Sequence, residues 1–362
     1  MSMLHAGAVA VLPWLATAVC SAVDGELLWD NGITAARNAH AISPPAFPNI
    51  RQADDFVIED EAWLVTDVAF QVLEDGGFTR GNVLETYIYA DSGSGVPGPL
   101  TRLLPTGFEQ EFTGRQLFGR DEYHYWIDDL ALALGTGLHW LGPRNPEGGG
   151  AGTNYWVECE IGPFPCGVDA EGTYASAASL DGGQNWQPNH PDTYHFQFQL
   201  FGFRALDALP FVFDVTRGGL VGGKLESLAE DDGEVLRIAA QRPSKVSQPS
   251  VEIEIEGFSP VDFQAATAIG FTLDARATAP AIERIELYDF KQARYVRLHE
   301  APASIDSDRT TDVVIRENVS NFITPAASRM RARISYYDPG IPIAAWFGEI
   351  DQTIWRVGRP TP

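Results

Sequence analysis

The chain has 362 residues, of which 25 are Lys or Arg and 49 are Asp or Glu, so its formal net charge is -24. Its length suits two ordinary domains, and a hydrophobic content of 44% is enough to pack their cores, which excludes intrinsic disorder. The negative charge disfavours binding to nucleic acid and to anionic lipid, whereas calcium and neutral polymers remain admissible partners.

The first 22 residues have the outline of a secretory signal peptide. Met1 to Ala22 form an apolar run that ends in small residues before Asp24, as in a signal segment with its cleavage site. The run lacks Lys and Arg and is nearly long enough to cross a bilayer, so an uncleaved N-terminal anchor is the alternative. We expect cleavage after Ala22 and a secreted or extracytoplasmic mature chain without stable membrane insertion.

Period-two alternation dominates the rest of the chain, and sustained helical periodicity is nearly absent. The clearest case is Thr193–Leu200, in which Phe196, Phe198 and Leu200 share one face and His195 lies on the polar face. The composition, rich in Gly, Pro and aromatic residues, also favours an all-β protein with many turns. Further strands are predicted at Leu64–Leu73, Val83–Tyr89, Tyr155–Ile161, Val251–Ile255, Ala268–Leu273, Ile282–Tyr288, Val313–Ile315, Arg329–Tyr336 and Thr353–Val357.

A domain boundary is predicted at Arg204–Pro210, where one strand pattern ends and another begins. We expect two antiparallel, jelly-roll-like β-sandwich domains over residues 23–205 and 210–362. Leu220–Leu228 is predicted to be a short helix or a turn. Most of the tryptophans precede the boundary, which places any ligand platform in the first domain. They are Trp29, Trp63, Trp126, Trp140, Trp156 and Trp186.

The segment YWVECEI places Trp156, Glu158 and Glu160 on one face of a strand, with the two carboxylates roughly 7 Å apart. One interpretation is a solvated or sugar-contacting face. The other is a catalytic carboxylate pair, because glycosidases use two carboxyl groups about 5 to 9 Å apart. We take these three residues, together with Trp186 and His195, as candidate ligand-binding residues and assign no catalytic residue.

Two strands carry complementary charges on one face. The acidic set and the basic set are Glu252, Glu254 and Glu256, and Arg329, Arg331 and Arg333. We expect the two strands to be neighbours, because each cross-strand pair of opposite charge contributes about 0.2 to 1 kcal/mol. The sets are therefore interpreted as structural.

Acidic doublets are a weak sign of calcium, which prefers oxygen ligands. Asp54 and Asp55 are the metal candidates, although adjacent side chains in a strand point to opposite faces and a turn hydrogen bond is the alternative role. His190 and His195 alone are a weak metal signal. We expect no cofactor, with calcium as the open possibility. Two further doublets are Asp128–Asp129 and Asp231–Asp232.

Cys159 and Cys166 would be the cysteines left after removal of Cys20. In an exported chain they are predicted to form a local disulfide, whereas in a cytosolic chain two free thiols would be expected. No second cysteine pair or histidine cluster accompanies them in the sequence, so zinc binding at the cysteines is unsupported.

Two groups of segments, one in each half of the chain, carry a family resemblance. Those in the first half are LLWDNG, Arg51–Phe56, Val96–Leu100, His139–Pro143, Ser179–Trp186 and FQFQLFG up to Gly202. Those in the second half are Phe213–Leu225, Val251–Pro260, Ile285–Phe290, Met330–Tyr336 and Ile350–Val357. By these segments both halves resemble β-sandwich domains of exported bacterial proteins, notably planctomycete-type ones, and the first half is jelly-roll-like. The resemblance implies a bacterial envelope or secreted protein and names no activity.

The sequence favours a non-catalytic protein that binds an extracellular glycan or surface polymer. Exposed Trp or Tyr rings with polar neighbours are what sugar stacking requires. Two alternatives stay open, a secreted glycoside hydrolase or lyase and a structural envelope protein without a small-molecule ligand.

Overall fold

A computed structural model describes residues 25–31, 39–42, 49–160, 176–189, 194–245, 247–338 and 345–360. Strands make up nearly all of the regular structure within these ranges. The strands of the first half are β1 Glu26–Asp30, β2 Ala39–Ala41, β3 Arg51–Ile58, β4 Ala62–Glu74, β5 Phe78–Thr79, β6 Val83–Asp91, β7 Pro97–Gly107, β8 Glu109–Leu117, β9 Arg120–Ile127, β10 Leu132–Leu134, β11 Gly137–Arg144, β12 Gly149–Gly150, β13 Asn154–Glu160, β14 Ala177–Ser179, β15 Gln187–Pro188, β16 Tyr194–Phe196 and β17 Phe198–Ala208.

The second half continues with ten strands and two single-turn 3-10 helices among the described residues. The strands are β18 Pro210–Arg217, β19 Gly219–Gly222, β20 Leu236–Ala239, β21 Val251–Phe258, β22 Ala268–Ala277, β23 Ile282–Asp289, β24 Arg294–Pro302, β25 Arg309–Ile315, β26 Arg329–Tyr337 and β27 Phe347–Gly358. The 3-10 helices span Leu225–Leu228 and Val319–Phe322.

The first half is a sandwich of two sheets. One sheet has the order β15-β14-β3-β11-β6-β7, and the facing one contains β16, β13, β4 and β17 in that order. The core between them contains alternate residues of β3, such as Phe56 and Ile58, and Val68, Phe70 and Val72 of β4. Strand alternation thus sends one face of each sheet into a shared apolar core.

The second half packs a five-stranded sheet, β18-β21-β26-β23-β24, against β22, β25 and β27. Val251, Ile253 and Ile255 are fully buried on one face of β21, as the alternation predicts. On the other face, Glu256 of β21 lies opposite Arg331 of β26, with Oε1 of Glu256 2.6 Å from Nη2 of Arg331. The predicted neighbour relation of the acidic and basic strands is confirmed.

The two halves share one 14-stranded sheet. Strand β17 pairs with β4 of the first half along most of its length, and its last four residues pair with β27 of the second half. A small apolar cluster of Leu64, Ala133, Ala205 and Ala268 lies at this junction. Arg102 also reaches across, with Nε 2.7 Å from the Asp312 carboxylate. The proposed division at 205–210 therefore coincides with the end of a shared strand, and the two-domain assignment stays a prediction.

The all-β class with antiparallel sheets is confirmed. Each predicted strand overlaps an observed one, although Thr193–Leu200 is divided at Gln197 into β16 and β17. Leu220–Leu228 begins with the end of β19, a strand that was not predicted there, and ends in the short 3-10 helix Leu225–Leu228, so only the helical form of the prediction is present. Among the described residues, no helix has the length and hydrophobicity that crossing a bilayer requires.

Candidate functional site

The predicted sugar-contacting face of β13 is turned into the core. Trp156 is 0% exposed and stacks on Phe196 with ring centroids 4.3 Å apart, and its indole N–H donates to the Gln197 carbonyl at 2.8 Å. Glu158 is also buried and forms an ion pair with the His40 ring. The expectation of an exposed indole and carboxylate on this strand is wrong, because the face that carries them packs beneath the six-stranded sheet.

Trp186 is also covered. Its ring is 8% exposed and meets Tyr89 edge-on, with centroids 5.0 Å apart and an interplanar angle of 79°. It belongs to a second apolar cluster, with Tyr87 and Trp140, on the face of the six-stranded sheet that points away from the main core. Trp186, a candidate ligand-binding residue, therefore offers no exposed platform, because the loop before β15 folds this ring onto the sheet.

The structure brings together His195, Asp54 and Asp55, which the sequence suggested separately. Nδ1 of His195 lies 2.9 Å from Oδ1 of Asp54 and 3.6 Å from Oδ1 of Asp55. All three side chains are buried, so the expected solvent-facing position of His195 is wrong. The expectation that only one of two adjacent carboxylates reaches a common point is also wrong, because carboxylate oxygens lie two bonds beyond the alternating Cβ atoms.

Within the described residues, this is the one group of three His, Cys, Asp or Glu side chains whose ligand atoms all lie within 4.8 Å of one another. Asp54 is held by further donors besides the His195 ring. Its Oδ2 accepts from the Asn31 amide at 2.9 Å and from the backbone N–H of Phe196 at 2.6 Å. These bonds join the end of β1, the middle of β3 and the short edge strand β16 at one point.

The same network extends to a pocket at the surface. The Trp29 indole donates to the Asn31 side chain at 2.5 Å, so Asn31 connects Trp29 to Asp54. The pocket has a volume of about 310 Å³. Its lining comes from β1, the end of β3, the start of β4 and β17: Leu28, Trp29, Asp30, Val57, Glu59, Asp60, Trp63 and Arg204.

The pocket combines an aromatic base with an acidic rim. Trp29 is half-buried, and Trp63 beneath it is buried, with the two ring centroids 6.4 Å apart. Asp30, Glu59 and Asp60 supply three exposed carboxylates. The arrangement can accept hydrogen bonds from a ligand while an indole face covers the ligand's apolar side.

Sequence reasoning missed this pocket because its parts come from separate segments. The turn IEDE after β3 and the segment LLWDNG were both visible in the sequence. What unites the lining is β17, which pairs with β1 on one side and on the other with β4, where Arg204 lies opposite Trp63. A tryptophan followed by an acidic residue near the start of the domain was the available signal.

Several predicted site residues lie outside the described residues. The structure does not describe Cys166 or His190, nor the side chains of Cys159 and Glu160. The disulfide and the Glu158–Glu160 pair therefore stay predictions. The backbone of Cys159 is described and lies opposite His195 in the pairing of β13 with β16.

No family model matches the sequence, and no curated protein matches it. Among solved structures, the chain is similar to allantoicase from Saccharomyces cerevisiae, with 10% identity, coverage of 93% of this chain and 83% of that chain, and a TM-score of 0.25. A second allantoicase structure shares 11% identity over 82% of this chain and 75% of that chain, with a TM-score of 0.25. A candidate secreted protein from Eubacterium rectale shares 9% identity over 86% of this chain and 74% of that chain, with a TM-score of 0.20. TM-scores this low assign neither activity nor ligand.

Proposed function

We propose that the chain is a secreted binding protein that holds one sugar residue of an extracellular glycan in the pocket beside Trp29. The observation that carries the proposal is the half-buried Trp29 ring at the base of a cavity of about 310 Å³ rimmed by three carboxylates. That volume is at the lower end of the range for small-molecule sites, which suits the end of a glycan better than its length.

The chemistry of the lining matches a sugar ring on both of its sides. A pyranose has a face of C–H groups, which packs on an indole, and a rim of hydroxyl groups, which donate to carboxylates. Trp29 supplies the indole, and Asp30, Glu59 and Asp60 supply the acceptors. The bond from Trp29 to Asn31 fixes the tilt of the ring before any ligand arrives.

The charge of the pocket selects the kind of sugar. Three carboxylates face one guanidinium, Arg204, whose Nε lies 3.4 Å from the Glu26 carboxylate. An anionic sugar would meet repulsion from the rim and from the net charge of -24. The pocket therefore favours a neutral or amino sugar over a uronic or sialic acid.

The test is a glycan-array screen of the mature chain, followed by calorimetric titration of each glycan that binds. Trp29→Ala removes the stacking surface and is expected to weaken binding by about tenfold or more, corresponding to roughly 1.4 kcal/mol. The matched control is Trp126→Ala, because Trp126 is also half-buried but packs against Phe201 and does not line the pocket.

Each outcome of this screen decides a separate question. Loss of binding in Trp29→Ala with retention in Trp126→Ala supports the pocket, and equal binding by both variants contradicts it. Absence of binding to any glycan contradicts the binding function. A reducing-end assay on each bound glycan is run in parallel, and release of product would replace the binding function by glycoside hydrolysis.

A further inference from the structure

We propose that Asp54, Asp55 and His195 bind one divalent transition-metal ion. The proposal goes beyond the glycan pocket and does not depend on it. It rests on three buried side chains that supply one nitrogen and two carboxylate groups at one point of the sandwich.

The spacing of the ligand atoms fits a small metal ion. Zinc bonds to nitrogen and oxygen ligands are about 2.1 Å long, and in a tetrahedral site such ligands lie about 3.4 Å apart. The separations from Nδ1 of His195 are 2.9 Å to the Asp54 oxygen and 3.6 Å to the Asp55 oxygen, on either side of that value. A metal bound to both atoms would take the place of the hydrogen bond between Nδ1 of His195 and Oδ1 of Asp54.

The charge of the cluster also favours a cation. Asp54 and Asp55 are 0% and 3% exposed, and His195 is 5% exposed. Opposite charges attract more strongly in a buried place than in water, so the two carboxylates favour a divalent ion where they converge.

The supporting shell has the form that metal ligands require. Ligating carboxylates are usually fixed by hydrogen bonds from outside the ligand set. Asp54 has two such bonds on Oδ2, from Asn31 and from the Phe196 backbone, and Asn31 is fixed in turn by Trp29. Oδ1 of Asp54, the oxygen that faces His195, is thereby oriented toward the proposed ion.

The donor set identifies the class of metal. Imidazole nitrogen with carboxylate oxygen suits zinc, manganese and related ions, whereas calcium takes six to eight oxygen ligands and rarely a nitrogen. The cluster therefore suits a transition metal better than calcium, which the Asp54–Asp55 doublet had left as an open possibility. Because His195 lies on β16 and both aspartates lie on β3, the ion would link these two strands.

The test uses the full mature chain after EDTA treatment and gel filtration. Titration with Zn²⁺ is expected to show about one site per chain and a rise in Tm, and Ca²⁺ is expected to produce neither. His195→Gln and Asp55→Asn are close in shape to the native side chains and should each weaken Zn²⁺ binding by at least about tenfold. The matched control is His124→Gln, because His124 is exposed on β9 and lies outside the cluster.

Three results would overturn the proposal. They are absence of Zn²⁺ uptake by the EDTA-treated wild type, unchanged Zn²⁺ affinity in a folded His195→Gln or Asp55→Asn protein, and a Tm shift produced equally by Ca²⁺. Should neither variant fold, electron paramagnetic resonance of the Cu²⁺-loaded wild type decides. Coupling to one imidazole nitrogen supports the site, and coupling to two or more, or to none, contradicts it.

Discussion

Asp351 is a buried carboxyl group that the fold keeps among other acids. It lies on β27, is 2% exposed, and accepts the backbone N–H of Gly233 at 3.2 Å. Burial, with a smaller contribution from the nearby Asp231 carboxylate, raises the pKa of Asp351 from 3.8 to about 6. The folded protein therefore binds a proton at this residue more tightly than the unfolded chain does.

The raised pKa gives the sign of a pH effect on stability. The contribution of Asp351 to stability is fully present below pH 4 and is lost as the pH rises through about 6. Asp351→Asn removes this loss, so the Tm difference between the variant and the wild type should rise by a few degrees from pH 4 to pH 7. The corresponding change in the free energy of unfolding is at most about 3 kcal/mol.

The measurement is a series of thermal melts across that pH range. Asp306→Asn, which changes an exposed carboxylate, is the control and should give a flat Tm difference. A flat difference for Asp351→Asn as well would contradict the assignment.

At individual residues, the sequence indicates which side chains share a strand face more reliably than it indicates which of them are exposed to solvent. It indicated that Trp156 and Glu158 share a face, which is correct, but not that this face is covered by the six-stranded sheet. The reason is physical, since alternation defines two faces of a strand and only long-range packing decides which of them meets solvent. The approach of His195 to Asp54 depends on residues 141 positions apart and left no local signal.

Strands β21 and β26 form a ladder of opposite charges on the outer face of the five-stranded sheet. Glu256 contacts Arg331 at 2.6 Å and Arg329 at 3.3 Å, and Arg333 contacts Glu286 of β23 at 2.7 Å. Arg331 and Arg333 also lie over aromatic rings, with the guanidinium of Arg333 3.8 Å from the centre of the Tyr295 ring. The ladder therefore reinforces the register that the apolar face already specifies.

A double-mutant cycle measures the coupling free energy of one ion pair in this ladder. Glu256→Gln and Arg331→Gln are each expected to cost less than about 1 kcal/mol of unfolding free energy, with a coupling of about 0.2 to 1 kcal/mol that declines as NaCl is added. Urea titrations of the wild type, both single variants and the double variant give the coupling. A coupling near zero at low salt would contradict the structural interpretation.

Some strands were predictable from the sequence and others were not. Strand β21 has one apolar and one charged face, so its period of two was plain. Strand β24, RYVRLHEAP, lacks a fully buried position and so offered little apolar signal. Strand β4 is buried at every position. Its apolar residues predicted a strand but did not indicate which elements cover its two faces.

The whole molecule is connected by strand β17. Because β17 pairs with β4 and then with β27, backbone hydrogen bonds run without a break from one half to the other. At the junction, Leu64 is fully buried against the second half, and it lies so close to Gly270 that a Cβ added there would clash with a Leu64 methyl group. We therefore expect the two halves to unfold together.

Calorimetry tests this coupling. The wild type should show one transition whose calorimetric and van't Hoff enthalpies agree. Leu64→Ala and Leu84→Ala each remove a fully buried leucine and should cost about 2 to 5 kcal/mol. Leu84 lies in the core of the first half, whereas Leu64 lies at the junction. Leu64→Ala should therefore split or broaden the transition, and Leu84→Ala should only shift it. Two resolved transitions in the wild type would mean that the shared strand does not couple the halves.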